Sequence, residues 1–91
     1  MRIRWTPDAA NDLEQIARHI LRDNPGAART VIRTLTDGIG RLSKFPKLGR
    51  PGQVENTREL VFPSLPYIVV YRIKDEKAEI LRVYHGAQDW P

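Results

Sequence analysis

The sequence predicts an α+β domain in which an antiparallel helical hairpin packs on a four-stranded sheet, and three observations carry that prediction. Two runs of β-branched and aromatic residues, Tyr67–Ile73 and Ala78–Tyr84, flank the polar tetrad Lys74-Asp75-Glu76-Lys77, as in a β-hairpin. Upstream, Ala9, Leu13, Ile16, Ala17, Ile20 and Leu21 recur at the helical period, and Ala28, Val31, Leu35, Ile39 and Leu42 do so again. The two stripes are separated by Asp23-Asn24-Pro25-Gly26, a strong helix break. The 91 residues contain no repeat, linker or low-complexity stretch, so 1–91 reads as one domain with one core.

In chain order, Arg2–Trp5 alternates basic and apolar, which predicts a short edge strand with Ile3 and Trp5 turned inward. Thr6-Pro7-Asp8 then starts a helix. Thr6 serves as N-cap, Pro7 occupies the first turn, and Asp8 sits at the positive end of the dipole. A second helix is predicted from Ala27 to Lys44. Gly38 and Gly40 inside it each cost about 1 kcal/mol of propensity relative to alanine, which points to close approach of a neighbouring element. Phe45-Pro46-Lys47-Leu48-Gly49-Arg50-Pro51-Gly52 reads as a stiff basic loop, and Arg58–Phe62 as the first strand of a three-stranded antiparallel meander. With Asp75 and Glu76 as a two-residue loop, Arg72 faces Glu79, Tyr71 faces Ile80, Val69 faces Arg82 and Tyr67 faces Tyr84. The opposite charges of Arg72 and Glu79 favour that register. One face of the hairpin then carries Ile68, Val70, Leu81 and Val83, with His85 at its far end. On aliphatic content this face is expected to lie under the helices.

Composition narrows the function. There is no cysteine, which excludes a disulfide framework and a thiolate metal site. No apolar run approaches the length of a membrane span, and Met1–Trp5 leads directly into structured sequence, so a cytoplasmic protein is expected. The net charge of +4 is uneven: residues 29–58 hold seven basic side chains against Asp37 and Glu55. A basic band of this kind, with Arg33, Arg41 and Arg50 in it, suits a nucleic acid, a ribosome or an acidic protein; a solvated helix face is the plainer alternative.

Catalytic signatures are sparse. Gly-rich phosphate loops, His-Glu helical pairs and Gly-x-Ser-x-Gly are all lacking, and neither a metal nor a cofactor is expected. His19 lies beside the apolar stripe of its helix with no ligand partner at metal spacing, and reads as a boundary packing residue. The one cluster with chemical potential is Arg82, Tyr84, His85, Gln88, Asp89 and Trp90, with Tyr67 opposite. Imidazole and guanidinium together can cleave RNA without metal, histidine moving the proton and arginine stabilising the pentacovalent phosphate. The packing alternative has His85 capping the strand, Tyr84 pairing with Tyr67, and Trp90 holding the tail on the sheet.

In this order the elements resemble the RelE/ParE superfamily of bacterial type II toxins over nearly the full length. The shared pieces are Phe45-Pro46-x-Leu48-Gly49-Arg50-Pro51, Thr57-Arg58-Glu59-Leu60, Pro66-Tyr67-Ile68-Val69-Val70-Tyr71-Arg72 and Ile80-Leu81-Arg82-Val83-Tyr84-His85-Gly86-Ala87. The resemblance implies a growth-inhibiting toxin silenced by a cognate antitoxin, as a heterodimer or a dimer of heterodimers. It also implies one of two targets: RelE-like members cleave mRNA on the ribosome, whereas ParE-like members inhibit DNA gyrase. The nucleases commonly carry an arginine where Ile68 stands, further acid or basic groups where Gly52 stands, and a tyrosine or basic residue where Gly86 stands. The chain is therefore closer to the ParE branch, which favours gyrase binding over enzymatic activity. The surface expected to meet partners comprises Ile68, Val70, Tyr84, His85 and Trp90, with Arg33, Arg41 and Arg50; the resemblance sets Ile68 and His85 on the groove that is charged in the nucleases. If the chain is instead a metal-independent ribonuclease, His85 and Arg82 do the chemistry while Arg58 and Arg50 grip phosphate. A third possibility is a non-toxic antitoxin-binding module.

Overall fold

A computed structural model describes residues 1–88 and 90–91. The elements are β1 (Arg2–Trp5), α1 (Pro7–Asp23), α2 (Pro25–Gly40) with a 3-10 turn at Arg41–Ser43, β2 (Arg50–Pro51), β3 (Arg58–Val61), β4 (Tyr67–Lys74) and β5 (Lys77–His85). The class is the expected α+β. The described residues, however, form a sheet of five strands rather than four, in the order β1-β5-β4-β3-β2. The additional strand comes out of the loop: Arg50 and Pro51 pair antiparallel with Glu59 and Arg58. β1 is at the edge, as expected, and runs parallel to β5, pairing Arg2–Trp5 with Lys77–Ile80.

The helix starts follow from their caps. The Thr6 hydroxyl accepts the Ala9 N–H, with Pro7 at the first helical position. The same hydroxyl donates to the Ile80 carbonyl at 2.7 Å, so one residue ends the parallel ladder and begins the helix. Asn24 stands alone between the helices. Its N–H donates to Ile20 O and closes α1, while its side-chain oxygen accepts the Ala27 N–H and opens α2. The second helix therefore begins at Pro25 rather than Ala27. It also ends early, at Gly40, where the backbone tightens to 3-10 geometry. Gly38 meets its expectation, because a Cβ there would strike the Phe62 ring; Gly40 does not, having nothing within 4 Å.

The core forms where both helical stripes meet one face of the sheet. Ala9, Leu35, Ile39 and Leu42 pack with Leu60, Val69, Tyr71, Ala78, Ile80 and Val83, and Ile3 and Trp5 close the β1 side as predicted. Leu21, assigned to the stripe of α1, is instead half exposed. The helices thus cover the Tyr67/Val69/Tyr71 face, not the more aliphatic Ile68/Val70 face.

The hairpin turn is the expected two-residue one, with Asp75 and Glu76 both at positive φ. Arg72 opposes Glu79 and Tyr71 opposes Ile80, but between Val70 and Tyr71 the register slips and Val70 opposes Arg82. Leu81 is the extra residue of a β-bulge. Beyond it the expected pairs change: Val69 faces Val83 and Tyr67 faces His85. A one-residue slip exchanges faces, so Val83 and His85 join the helix-covered side while Arg82 and Tyr84 join Ile68 on the open side.

Candidate functional site

The end of the sheet holding the sequence-predicted cluster presents two different surfaces. On the helix side, α1 and the ends of β4 and β5 enclose a cleft of about 450 Å³ lined by Asp12, Gln15, Ile16, His19, Tyr67 and His85, among others. His85 sets its ring edge against Tyr67, centroids 5.7 Å apart. Its Nδ1 accepts the Ala87 N–H at 3.0 Å, so the proton of the neutral ring sits on Nε2. Its own N–H donates to Gln88 Oε1, which closes the strand much as the packing alternative supposed. His19 does not pack at a boundary: it is exposed on the rim of this cleft.

Arg82 reaches past the sheet edge to Asp12, with Nε 2.7 Å from Oδ2 and Nη2 3.0 Å from Oδ1. The same carboxylate accepts the Val83 N–H at 2.9 Å and so closes the β5 edge beyond the end of β1. The hydrogen bond that Arg82 donates to Asp12 raises the Arg82 pKa against the opposing effect of burial, and the guanidinium is a fixed, neutralised cation.

The open face carries Ile68, Tyr84 and Trp90, with Arg50, Gln53 and Glu59 beside them around a shallow groove of about 380 Å³. Tyr84 stacks on Trp90 with centroids 6.2 Å apart and planes 20° from parallel, rather than pairing with Tyr67. Burial pushes the Tyr84 phenol up. Arg50 donates through Nε and Nη2 to Glu59 Oε1 at 3.0 and 2.9 Å, while the Gln53 N–H approaches the other oxygen. Val70, predicted to meet a partner, is fully buried between Glu59 and Arg82 and offers no surface. Asp89 lies outside the described residues.

The nuclease set is only partly assembled: His85 and Arg82 border the same cleft, whereas Arg50 and Arg58 lie elsewhere. Arg58 pairs across the ladder with Tyr71 and donates to Gly49 O at 2.7 Å, in a separate recess with Lys47, Asn56, Thr57 and Ile73. Ile68 and His85 occupy opposite faces, so they do not line one groove together as the resemblance implied. Gly52, where nucleases bring acid or basic groups, is dictated by packing: a Cβ there would strike the Thr57 hydroxyl, and its N–H donates to Thr57 O. A larger depression, about 710 Å³ between Met1, Arg2 and the Asp75–Lys77 turn, is at the other end of β5. Among the described residues, no three His, Cys, Asp or Glu side chains converge as a metal would require. No helix among them is long and apolar enough to cross a membrane.

A family profile described as the ParE toxin of the type II toxin–antitoxin system parDE matches residues 3–90. The chain belongs to the ParE toxin family. The putative toxin Y4kP of Sinorhizobium fredii is 43% identical over 90 residues, covering 99% of this chain and 93% of the relative. Toxin ParE3 of Caulobacter vibrioides is 29% identical over 86 residues, covering 93% and 86%. Among solved structures, a chain of the chromosomal ParDE toxin–antitoxin system from P. aeruginosa superposes with a TM-score of 0.84 at 27% identity, covering 93% of this chain and 95% of that one. A chain of the RelBE2 toxin–antitoxin complex of Mycobacterium tuberculosis gives 0.62 at 29% identity, covering 92% and 95%. The membership makes this ParE-family chain a toxin of the type II class and accounts for the order of its elements.

Sequence reasoning missed one residue that builds the site and two that shape the loop beyond it. Asp12 was an unremarkable acid off the apolar stripe, yet it fixes Arg82 and the edge of β5. Tyr71 was an ordinary strand aromatic, yet its hydroxyl donates to Pro46 O at 2.7 Å and accepts the Gly49 N–H at 2.8 Å. Phe45 was read only as part of a basic loop, yet it is 57% exposed. The last had a visible signal: two large apolar residues, Phe45 and Leu48, inside a proline-punctuated cationic segment.

Proposed function

We propose that this toxin arrests growth by binding a protein, DNA gyrase, in the cytoplasm, and that a cognate antitoxin neutralises it in a heterodimer or dimer of heterodimers. The observation that carries the reading is that the three arginines assigned to the nuclease alternative are already engaged: Arg82 with Asp12, Arg50 with Glu59, Arg58 with loop carbonyls. A ribonuclease needs a free cation placed where charge develops on phosphorus. Ile68 supplies hydrocarbon where the RNA-cleaving relatives station an arginine, and His85 faces away from it. The closer superposition on the ParDE chain than on the RelBE2 chain, at similar identity, supports the same branch.

The open face of Ile68, Tyr84 and Trp90, bordered by Val61 and by the polar side chains of Arg50, Gln53 and Glu59, is a mixed groove suited to a strand or helix of the antitoxin that brings both apolar and polar groups. Arg33 is exposed on α2 and would meet the acidic residues of such a partner. The test is a side-by-side assay of purified toxin on gyrase supercoiling and on ribosome-bound mRNA. Inhibited supercoiling with intact mRNA is expected. Codon-positioned mRNA cuts that vanish in His85→Ala would establish the ribonuclease instead. Uninterrupted growth on expression without antitoxin would leave a non-toxic antitoxin-binding module.

A further inference from the structure

Outside the groove, the molecule holds its most exposed large aromatic on its most tightly braced loop. Phe45 and Leu48 are 57% and 42% exposed and close a turn through the Leu48 N–H to Phe45 O hydrogen bond. The turn cannot fold inward. Tyr71 clamps it through Pro46 O and the Gly49 N–H, and Arg58 donates to Gly49 O. A Cβ on Gly49 would come within 2.8 Å of both the Tyr71 hydroxyl and Glu59 O, so the chain here has been trimmed to fit the clamp. Around the turn stand Arg41, Lys44 and Lys47. Among the described residues none of these three has a carboxylate at ion-pair distance, a condition they share with Arg29 and Arg33, but only here do unpaired cations flank two exposed large apolar side chains within one turn.

A rigid turn that holds phenyl and isobutyl groups in water, ringed by unmatched cations, is the chemistry of an interface anchor. We propose that the Phe45–Leu48 turn, with Arg41, Lys44 and Lys47, is the surface by which this toxin docks on an acidic patch of its folded protein target. The inference rests on the protein-binding reading above and deepens it. A braced protrusion inserts into a preformed pocket, which a folded partner supplies, whereas an antitoxin segment that folds on binding is served by the groove on the opposite face. A second copy of this chain is disfavoured because the same cations would face one another. Nucleic acid is disfavoured because a phosphate backbone leaves Phe45 and Leu48 in water.

Two variants test this: Phe45→Ser/Leu48→Ser, and Arg41→Glu/Lys44→Glu/Lys47→Glu. Each is purified with the antitoxin to compare melting and antitoxin affinity, then assayed for growth arrest without antitoxin and for binding to purified gyrase. Both are expected to weaken target binding by at least about tenfold and abolish arrest, with antitoxin affinity within about twofold of wild type. If one variant melts early, the other carries the test, since its changes are chemically unrelated. Full growth arrest in a folded variant overturns the proposal, as does loss of antitoxin affinity, which would give the surface to the antitoxin. A wild-type chain that arrests no growth overturns it too. Binding of a DNA duplex that is lost on charge reversal, with Phe45→Ser/Leu48→Ser still toxic, would make the surface a nucleic-acid site and refute the proposal. If wild type ignores gyrase yet both variants lose arrest, the docking surface stands and the gyrase assignment falls.

Discussion

Removing one oxygen atom, in Tyr71→Phe, should loosen the whole loop from Pro46 to Gly49. The hydroxyl satisfies two backbone groups 2.7 and 2.8 Å away, and Gly49 is buried, so its N–H has no access to water once the phenol is gone. Each net hydrogen bond is worth about 1 kcal/mol, and a stranded buried donor costs about 1–3 kcal/mol, so a loss of about 2–3 kcal/mol is expected. A small domain changes its Tm by roughly 4–8 °C per kcal/mol, which converts to a drop of roughly 10–20 °C by calorimetry. The alkaline limb gives an independent reading. Burial raises the Tyr71 pKa, opposed by the Gly49 hydrogen bond and the Arg58 charge. A raised folded pKa means stability that is complete below the unfolded value of about 10 and lost as pH climbs through the folded one. Wild type should therefore weaken above about pH 10, and the variant less steeply, keeping only the contribution of Tyr84, whose phenol is raised in the same direction. A Tm within about 3 °C of wild type, with amide exchange at Lys47–Gly49 unchanged, would refute the claim that Tyr71 braces the turn.

Four further outcomes follow from the same geometry. Asp12→Ala strips Arg82 and the Val83 N–H of their acceptor and should cost about 1.5–3 kcal/mol in denaturant melts, nearer the lower figure because Arg82 is part-exposed, without creating mRNA cleavage. Glu79 has its pKa lowered chiefly by the Arg72 hydrogen bond, with Arg4 adding to it against desolvation. Its contribution is therefore present above the unfolded value of about 4.3 and lost as pH falls through the lower folded value, and Glu79→Gln should flatten that acid limb in pH-dependent melting. Gly40→Ala meets open space in a helical conformation and should stabilise by up to about 1 kcal/mol, whereas Gly49→Ala collides with Tyr71 and should destabilise by about 1–3 kcal/mol, both read from urea midpoints. Glu76 sits at φ 59° without being glycine, so Glu76→Gly should raise Tm by a few degrees, a gain of about 0.5–1 kcal/mol.

The features legible in the sequence were those set by local chemistry. Thr6-Pro7-Asp8 and Asn24-Pro25 are caps whose hydrogen bonds need only a few neighbouring residues, and both helices start beside them. The Asp75-Glu76 turn and the Arg72–Glu79 pair were equally local. The bulge at Leu81 was not, because Ile80-Leu81-Arg82-Val83 is an unbroken strand-forming run with no glycine or asparagine to announce it. What surrounds it is tertiary: Thr6 takes the carbonyls of Ile80 and Leu81, and Asp12 takes the Val83 N–H and Arg82. Those acceptors and donors come from residues some seventy positions away, so no window of sequence contains them.

That single inserted residue also determines what the site can do. Without it, His85 would share a face with Ile68 while Val83 would be lost from the core. With it, Val83 is buried, His85 turns into the α1 cleft, and Arg82 reaches round the edge of β5 to Asp12 on α1. Imidazole and guanidinium sit three residues apart in sequence and both border the α1 cleft, but the guanidinium is already paired with Asp12, a poor arrangement for stabilising a phosphate. The charged groups near the open end of the sheet are consequently spent on holding the fold, whereas Arg41, Lys44 and Lys47 are among the cations without an ion-pair partner among the described residues. A molecule that neutralises its arginines in the groove and leaves cations bare around a braced phenylalanine is built to be recognised by another protein's surface.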